Sequence, residues 1–245
     1  IAEEYAKRDQ VRHIIEDRYQ SSYAARNAGI EAASGSILAF LDADMWVEDD
    51  YVQRVHSNME KNNQVYMGCD VEIIPTDETS TGRFNAATGF PIQYYIENEC
   101  FAPTCCLVIK SSLIEDVGDF DQRLISSGDK EFGRRVANAG YGLIFEPDIV
   151  LYHPARNTIR DLISKSVRIG RGHEQLIYYY PSRFERLSIW DPRNFLPTHP
   201  RSFIDNLQAE PTSTGNLVYW YLISYITKVS LAAGRIKQRD RKSVV

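Results

Sequence analysis

The chain has 245 residues, 43% of them hydrophobic and 25% charged, with 28 basic and 33 acidic side chains and a net charge of −5. This balance excludes a disordered chain and gives no reason to expect a nucleic-acid partner. The length suits one large domain, or one domain with an appendage, and is enough to bury a sizeable core. Four cysteines, Cys69, Cys100, Cys105 and Cys106, show no C-x-x-C pair, so reduced thiols in a cytosolic domain are expected.

The chain starts at Ile1, and residues 1–9 read as the end of a helix, so a preceding segment is expected to be missing. Residues 11–16 (V-R-H-I-I-E) read as a compact strand and residues 23–33 as a helix with Gly35 as its C-terminal cap. After Gly35 five apolar residues, 37–41, predict a buried strand that ends in Asp42 and Asp44. A helix over 48–59 places Val52, Val55 and Met59 on one face. Strand, helix, strand, helix in the first sixty residues argues for a parallel sheet with crossover helices.

Residues 64–74 supply another strand and 75–85 a polar loop. A helix is expected over 92–99, a buried strand over 105–109 and a short helix over 111–117 closed by Gly118. Asp129 opens a helix carrying Phe132, Val136 and Ala139, capped by Gly140. Two short strands, 143–145 and 149–152, flank Pro147, and the second leads into His153. Apolar residues at helical spacing from Ile159 to Gly170 are decorated by Arg160, Lys165, Arg168 and Arg171. Residues 181–211 read as an extended wrap or linker. The apolar run 217–233 is 17 residues long, short of the roughly 20 needed to span a bilayer, and Lys228 interrupts it. It suits either the membrane interface, with the basic cluster beyond it, or a helix packed on the rest of the chain or in an oligomer interface.

Two carboxylates one residue apart at the end of a strand offer hard oxygen ligands for a divalent cation. The same pair also serves to open a loop or cap a helix. What decides between these is the company the motif keeps. A-R-N-A-G-I (25–30), A-S-G-S-I-L-A-F-L-D-A-D (33–44), V-G-D-F-D (117–121), G-D-K-E-F-G-R-R-V (128–136) and Y-H-P-A-R (152–156) occur in this order. Together they resemble the family-2 nucleotide-sugar glycosyltransferases of GT-A fold, over about residues 11–171.

The resemblance implies an α/β fold, a mostly parallel sheet with flanking helices and a C-terminal helical extension. The catalytic domain would cover 1–156, incomplete at its N-terminus, and the extension 157–245. It implies that Arg26 and Asn27 line the nucleotide pocket, that Asp42 faces the ribose or the metal, and that Asp44 and His153 hold the metal, Mn2+ or Mg2+. Asp129 would be the catalytic base. The activity implied is inverting transfer of a sugar from a nucleotide-diphosphate donor to a hydroxyl on a glycan or lipid-linked acceptor, in the cytoplasm or at the inner face of the membrane. In surface glycan, polysaccharide or lipid-linked glycan synthesis such chemistry needs one base and a cation beside the leaving diphosphate. The sequence departs from the family at two positions: Gly128 stands where an acid usually precedes the base, and Cys106 where an Asn is common. The rivals are a nucleotidyltransferase on a similar sheet and a catalytically inactive sugar-binding or scaffold subunit. Oligomeric state, donor base and acceptor identity are left open.

Overall fold

The sheet is built around its two longest strands, Tyr66–Ile74 and Ile144–Pro154, which pair in parallel. The computed structural model describes residues 10–61, 63–184, 188–209 and 211–242, so the helix expected over 1–9 lies outside them. Five strands are described: β1 (Ile37–Ala39), β2 (Trp46–Val47), β3 (Tyr66–Ile74), β4 (Leu107–Lys110) and β5 (Ile144–Pro154), in the order β1-β4-β3-β5-β2.

The α/β class stands, but the sheet is mixed rather than mostly parallel. β3 and β5 are parallel, while β1/β4, β3/β4 and β2/β5 are antiparallel. β1, β3 and β5 do run in the same direction. What the strand-helix alternation could not show is that β4 inserts between β1 and β3 against their direction, and that a two-residue strand pairs on the far edge. β1 is correspondingly half-buried at an edge instead of fully buried, and Leu41 beyond it is 45% exposed. Residues 11–16 form no strand: no described segment offers them a ladder, and Ile15 is 76% exposed. Pro147 does not split β5 into two strands. The register instead skips from Glu146 to Val150 opposite Cys69 and Asp70, so the proline sits in a bulge where no ladder hydrogen bond is needed.

The helices follow local chemistry. α1 (Ser22–Ala32) starts where the Ser21 hydroxyl accepts the Tyr23 N–H, and it ends at Ala33, two residues before the glycine expected to cap it. α2 (Tyr51–Lys61) buries Tyr51, Val55 and Met59, an i, i+4, i+8 face. Val52, one position round, is 76% exposed. The expected loop at 75–85 is shorter, because the Thr79 hydroxyl accepts the Gly82 N–H and starts α3 (Ser80–Thr88). α4 (Ile92–Glu99) and α5 (Ser112–Val117) stand as expected, with Gly118 at φ 76° after α5. α6 (Gly128–Asn138) buries Phe132 and Val136.

α7 (Ile159–Tyr179) begins at Thr158, whose hydroxyl accepts the Asp161 N–H. The wrap at 181–211 contains a short helix, α8 (Pro200–Asp205), and α9 (Thr214–Lys242) runs well past the apolar run. α7 and α9 cross at glycines: a Cβ on Gly170 would run into the Leu231 carbonyl, and one on Gly234 into the Val167 carbonyl. Beside the crossing, Glu174 and Arg235 form a buried ion pair at 3.7 Å. The main core gathers Tyr66, Met67, Leu107, Ile109, Phe132 and Leu151. A second core joins Phe84 and Ala87 of α3 to Leu162, Phe203, Trp220 and Ile223. Among the described residues no helix is long and apolar enough to cross a membrane. All four cysteines are free thiols.

Candidate active site

β2 is only two residues long, yet it sets the site. Trp46 pairs with Tyr152 and Val47 with Leu151, antiparallel, and the Trp46 and Tyr152 rings stack at 5.9 Å. That register folds the turn 42–45, closed by Met45 N–H donating to the Asp42 carbonyl at 3.1 Å, back over the end of β5. His153 Nε2 then lies 4.0 Å from Asp44 Oδ2. Ligand atoms of Asp42, Asp44 and His153 all fall within 4.8 Å of one another. His153 Nδ1 is 2.7 Å from the Pro154 carbonyl, an acceptor, so Nδ1 donates to it and Nε2 is the ring nitrogen on the side of the carboxylates. Two carboxylates and one imidazole nitrogen are a donor set that suits Mn2+ or Mg2+, with open positions for further oxygen ligands.

Asp129 sits across the same cleft, in the first turn of α6. Ser127 before it is held in the left-handed region at φ 66°, a costly conformation for a non-glycine residue, and this turns the helix start toward the cleft. The Asp129 carboxylate accepts the Lys130 N–H at 3.0 Å and lies 3.5 Å from the Tyr23 hydroxyl. Burial raises its pKa above the ordinary carboxylate value, and the backbone N–H of Lys130 and the Arg26 charge oppose the shift.

Tyr23 accounts for the glycine that departs from the family pattern. Its hydroxyl accepts the Gly128 N–H at 2.8 Å, and a Cβ on Gly128 would stand 2.7 Å from its ring. An acid at 128 would run into the Tyr23 ring as it lies here, so one of the two would have to shift. Phe120 packs on the Tyr23 ring at 5.8 Å and on Phe132 at 4.6 Å, so the V-G-D-F-D and G-D-K-E-F segments meet behind the base.

Arg26 reaches the cleft and pairs with Asp42 at 2.9 Å. Asn27 does not line that cleft. Its amide donates to the Phe120 carbonyl at 2.8 Å and accepts the Phe120 N–H at 3.1 Å, which clasps α1 to the V-G-D-F-D segment. Arg26, Asp42, Asp129 and His153 thus line one cleft of about 490 Å³, with Asp44 beside His153 at its rim.

The cleft also holds groups outside the site expected from the sequence. Lys165 and Arg168 of the basic α7 line it, together with Arg156, His173 and Leu231 of α9. Lys165 Nζ stands 4.5 Å over the Phe90 ring, which itself packs on His153 at 6.1 Å. Burial and the Lys130 and Arg235 charges push His173 down to about 4, so it is neutral at pH 7. Lys130 is paired with Glu99. The only signal in the sequence for the α7 groups was the row of cations at helical spacing; its side of the fold was not legible.

A mixed sheet with flanking helices, a paired-carboxylate turn beside a strand-end histidine and a buried aspartate at a helix start define a GT-A-type glycosyltransferase. The model for glycosyl transferase family 2 matches residues 1–118. The glycosyltransferase AglE of Haloferax volcanii is 32% identical over 234 residues, covering 93% of this chain and 77% of that protein. The chain belongs to glycosyl transferase family 2. A pre-mycofactocin glycosyltransferase of Mycobacterium tuberculosis is 25% identical over 174 residues, 68% of this chain and 37% of that protein. Among solved structures, the mannosyltransferase PcManGT of Pyrobaculum calidifontis, in complex with GDP-Man and Mn2+, superposes with a TM-score of 0.56 at 15% identity. That match covers 94% of this chain and 69% of the mannosyltransferase and shows the shared fold.

Proposed function

We propose that this glycosyltransferase is inverting and metal-dependent, and that it moves a sugar from a nucleotide-diphosphate donor to a hydroxyl acceptor in surface glycan, polysaccharide or lipid-linked glycan synthesis. The observation that carries this reading is the convergence of Asp42, Asp44 and His153 beside a cleft that Asp129 also lines. A divalent cation bound there supplies positive charge for the departing diphosphate. Asp44 and the His153 Nε2 lone pair would hold it, with Asp42 oriented by its 2.9 Å pair with Arg26. Arg26 adds a fixed charge beside the leaving group.

Asp129 takes the proton of the acceptor hydroxyl as that oxygen attacks the anomeric carbon. Its raised pKa makes it a stronger base than an exposed aspartate, and the Lys130 N–H and Arg26 oppose that rise. No side chain in the cleft is placed as a covalent nucleophile in this scheme, and a single displacement inverts the anomeric centre. Gly128, one of the departures that would suit an inactive scaffold, has a packing reason in the Tyr23 ring.

The proposal includes residues 1–156 as the catalytic part and 157–245 as an extension, working in the cytoplasm at the inner face of the membrane. Val218, Leu222 and Ile226, an exposed i, i+4, i+8 face of α9, support membrane contact. The deciding experiment is calorimetric titration of a panel of nucleoside diphosphates with and without Mn2+. Binding that requires Mn2+ is expected, and its base preference narrows the donor; a folded chain that binds none of them would overturn the reading.

A further inference from the structure

Arg156, Lys165 and Arg168 line the cleft from the end of β5 and from α7. None of the three makes an ion pair with a carboxylate among the described residues: Lys165 faces the Phe90 ring, and the recorded hydrogen bond of Arg156 is a backbone one to Asn85. Lys165 is pushed down to about 8, first by burial and then by the two guanidinium groups, while Cys105 weakly opposes this. Cations gathered in a part-buried place repel one another and lose hydration, a cost that protein packing does not require. An anion would offset it.

The donor diphosphate does not need these groups. On the reading above it is met by the cation at Asp42, Asp44 and His153 and by Arg26. Phe90 stands between the two sets, packed on His153 and under the Lys165 ammonium. Tyr95, Phe101 and Asp129 line the same cleft as the second set, and an acceptor must lie near Asp129 to give up its proton.

We infer that Arg156, Lys165 and Arg168 form a second anion subsite, apart from the metal triad, that binds a phosphate or diphosphate group carried by the acceptor. This rests on the transferase reading for the word acceptor, but the subsite itself does not depend on it. Two guanidinium forks and one ammonium match the oxygens of a phosphoryl group. The acceptor class is therefore a hydroxyl compound that bears a phosphate, and a neutral glycan would leave the cations unmet.

Calorimetry with phenyl phosphate as the probe tests this, on the chain saturated with Mn2+ and its preferred nucleoside diphosphate. Phenyl phosphate should bind, and the pair Lys165→Ala with Arg168→Ala should weaken it by about tenfold or more. Nucleoside diphosphate affinity should shift by less than about twofold. Arg168→Glu, at an exposed position that carries no folding risk, should abolish phenyl phosphate binding. Asp44→Ala should leave it intact, which separates it from phosphate bound at the metal triad. If the cation variants lose nucleoside diphosphate affinity to the same extent, the groups serve the donor and the inference is overturned. Unchanged phenyl phosphate binding overturns it too. Phosphatidylglycerol vesicles that bind through the same residues, with no phenyl phosphate binding, would reassign the patch to bilayer headgroups and also overturn it. Cation-dependent phenyl phosphate binding with no nucleoside diphosphate binding would sink the transferase reading and leave the anion subsite standing.

Discussion

His153 Nε2 lies 4.0 Å from Asp44 Oδ2, although one residue closes the last strand of the sheet and the other sits in a turn near its first. The two-residue strand β2 makes this juxtaposition, because Trp46 pairs with Tyr152 and carries the turn to the end of β5. If these atoms share a cation, each contributes to metal-dependent donor binding. Asp44→Ala and His153→Ala should each weaken Mn2+-dependent nucleoside diphosphate binding by about 10–100-fold or more. Titration of Mn2+ at fixed nucleotide measures it, and an unchanged Mn2+ requirement would remove the residue from the site.

Asp129→Asn should lower kcat by about 10²–10⁴-fold and leave donor affinity within about twofold. The asparagine keeps the size of the side chain and cannot accept the proton. The base works when ionised, and burial raises its pKa, so the acid limb of kcat/KM should lie above the ordinary aspartate value of 3.8. Activity should rise with pH through that limb. A limb at the ordinary value, or substantial transfer by the Asn variant, would assign the base elsewhere.

Tyr23 and Gly128 should behave as a coupled pair. Gly128→Glu alone places side-chain atoms in the Tyr23 ring and should destabilise by about 1–3 kcal/mol. Tyr23→Ala makes room for it but leaves the Gly128 N–H without its acceptor. Gly128→Glu should therefore cost less in the Tyr23→Ala background than alone. A double-mutant cycle in urea reads the coupling, and additive effects would contradict the steric account.

The α7–α9 crossing should be intolerant of volume. Gly170→Val and Gly234→Val force the helices apart at backbone carbonyls and should each cost about 1–3 kcal/mol. For a chain of this length that is a Tm drop of roughly 2–4 °C per kcal/mol. Because Lys165 and Arg168 ride on α7, the same variants should also weaken phenyl phosphate binding.

Lys165 gives a pH-dependent stability signature. Its folded pKa is about 8, below the 10.5 of the free side chain, because burial and the charges of Arg156 and Arg168 disfavour the ammonium. Below pH 8 both states carry the proton and the folded chain bears the full penalty. Between pH 8 and 10.5 the unfolded chain holds more protons, so stability from this group rises with pH. Lys165→Met should raise Tm by a few degrees at pH 7, and the gain should shrink between pH 8 and 10.5. A gain independent of pH would mean that the ammonium is not the source.

Local signals carried far in this chain. Apolar spacing and runs of helix formers located α1, α4, α5, α6 and α7, and motif order marked Asp42, Asp44, Asp129 and His153. Those features depend on neighbours within a turn or two of helix, so the sequence by itself determines them. Tertiary structure decided the rest: that β4 inserts against β1 and β3, that β2 exists at all, and that residues 11–16 stay unpaired. A strand's partner is a distant segment, and two residues carry no periodicity. Only packing shows that Tyr23 fills the space beside Gly128, that Asn27 is occupied by Phe120, and that one side of α7 turns its cations into the cleft. The physical reason is the same in each case: composition and spacing say which side chains must be buried or hydrogen-bonded, but the partner that satisfies them is chosen by contacts between residues far apart in the chain.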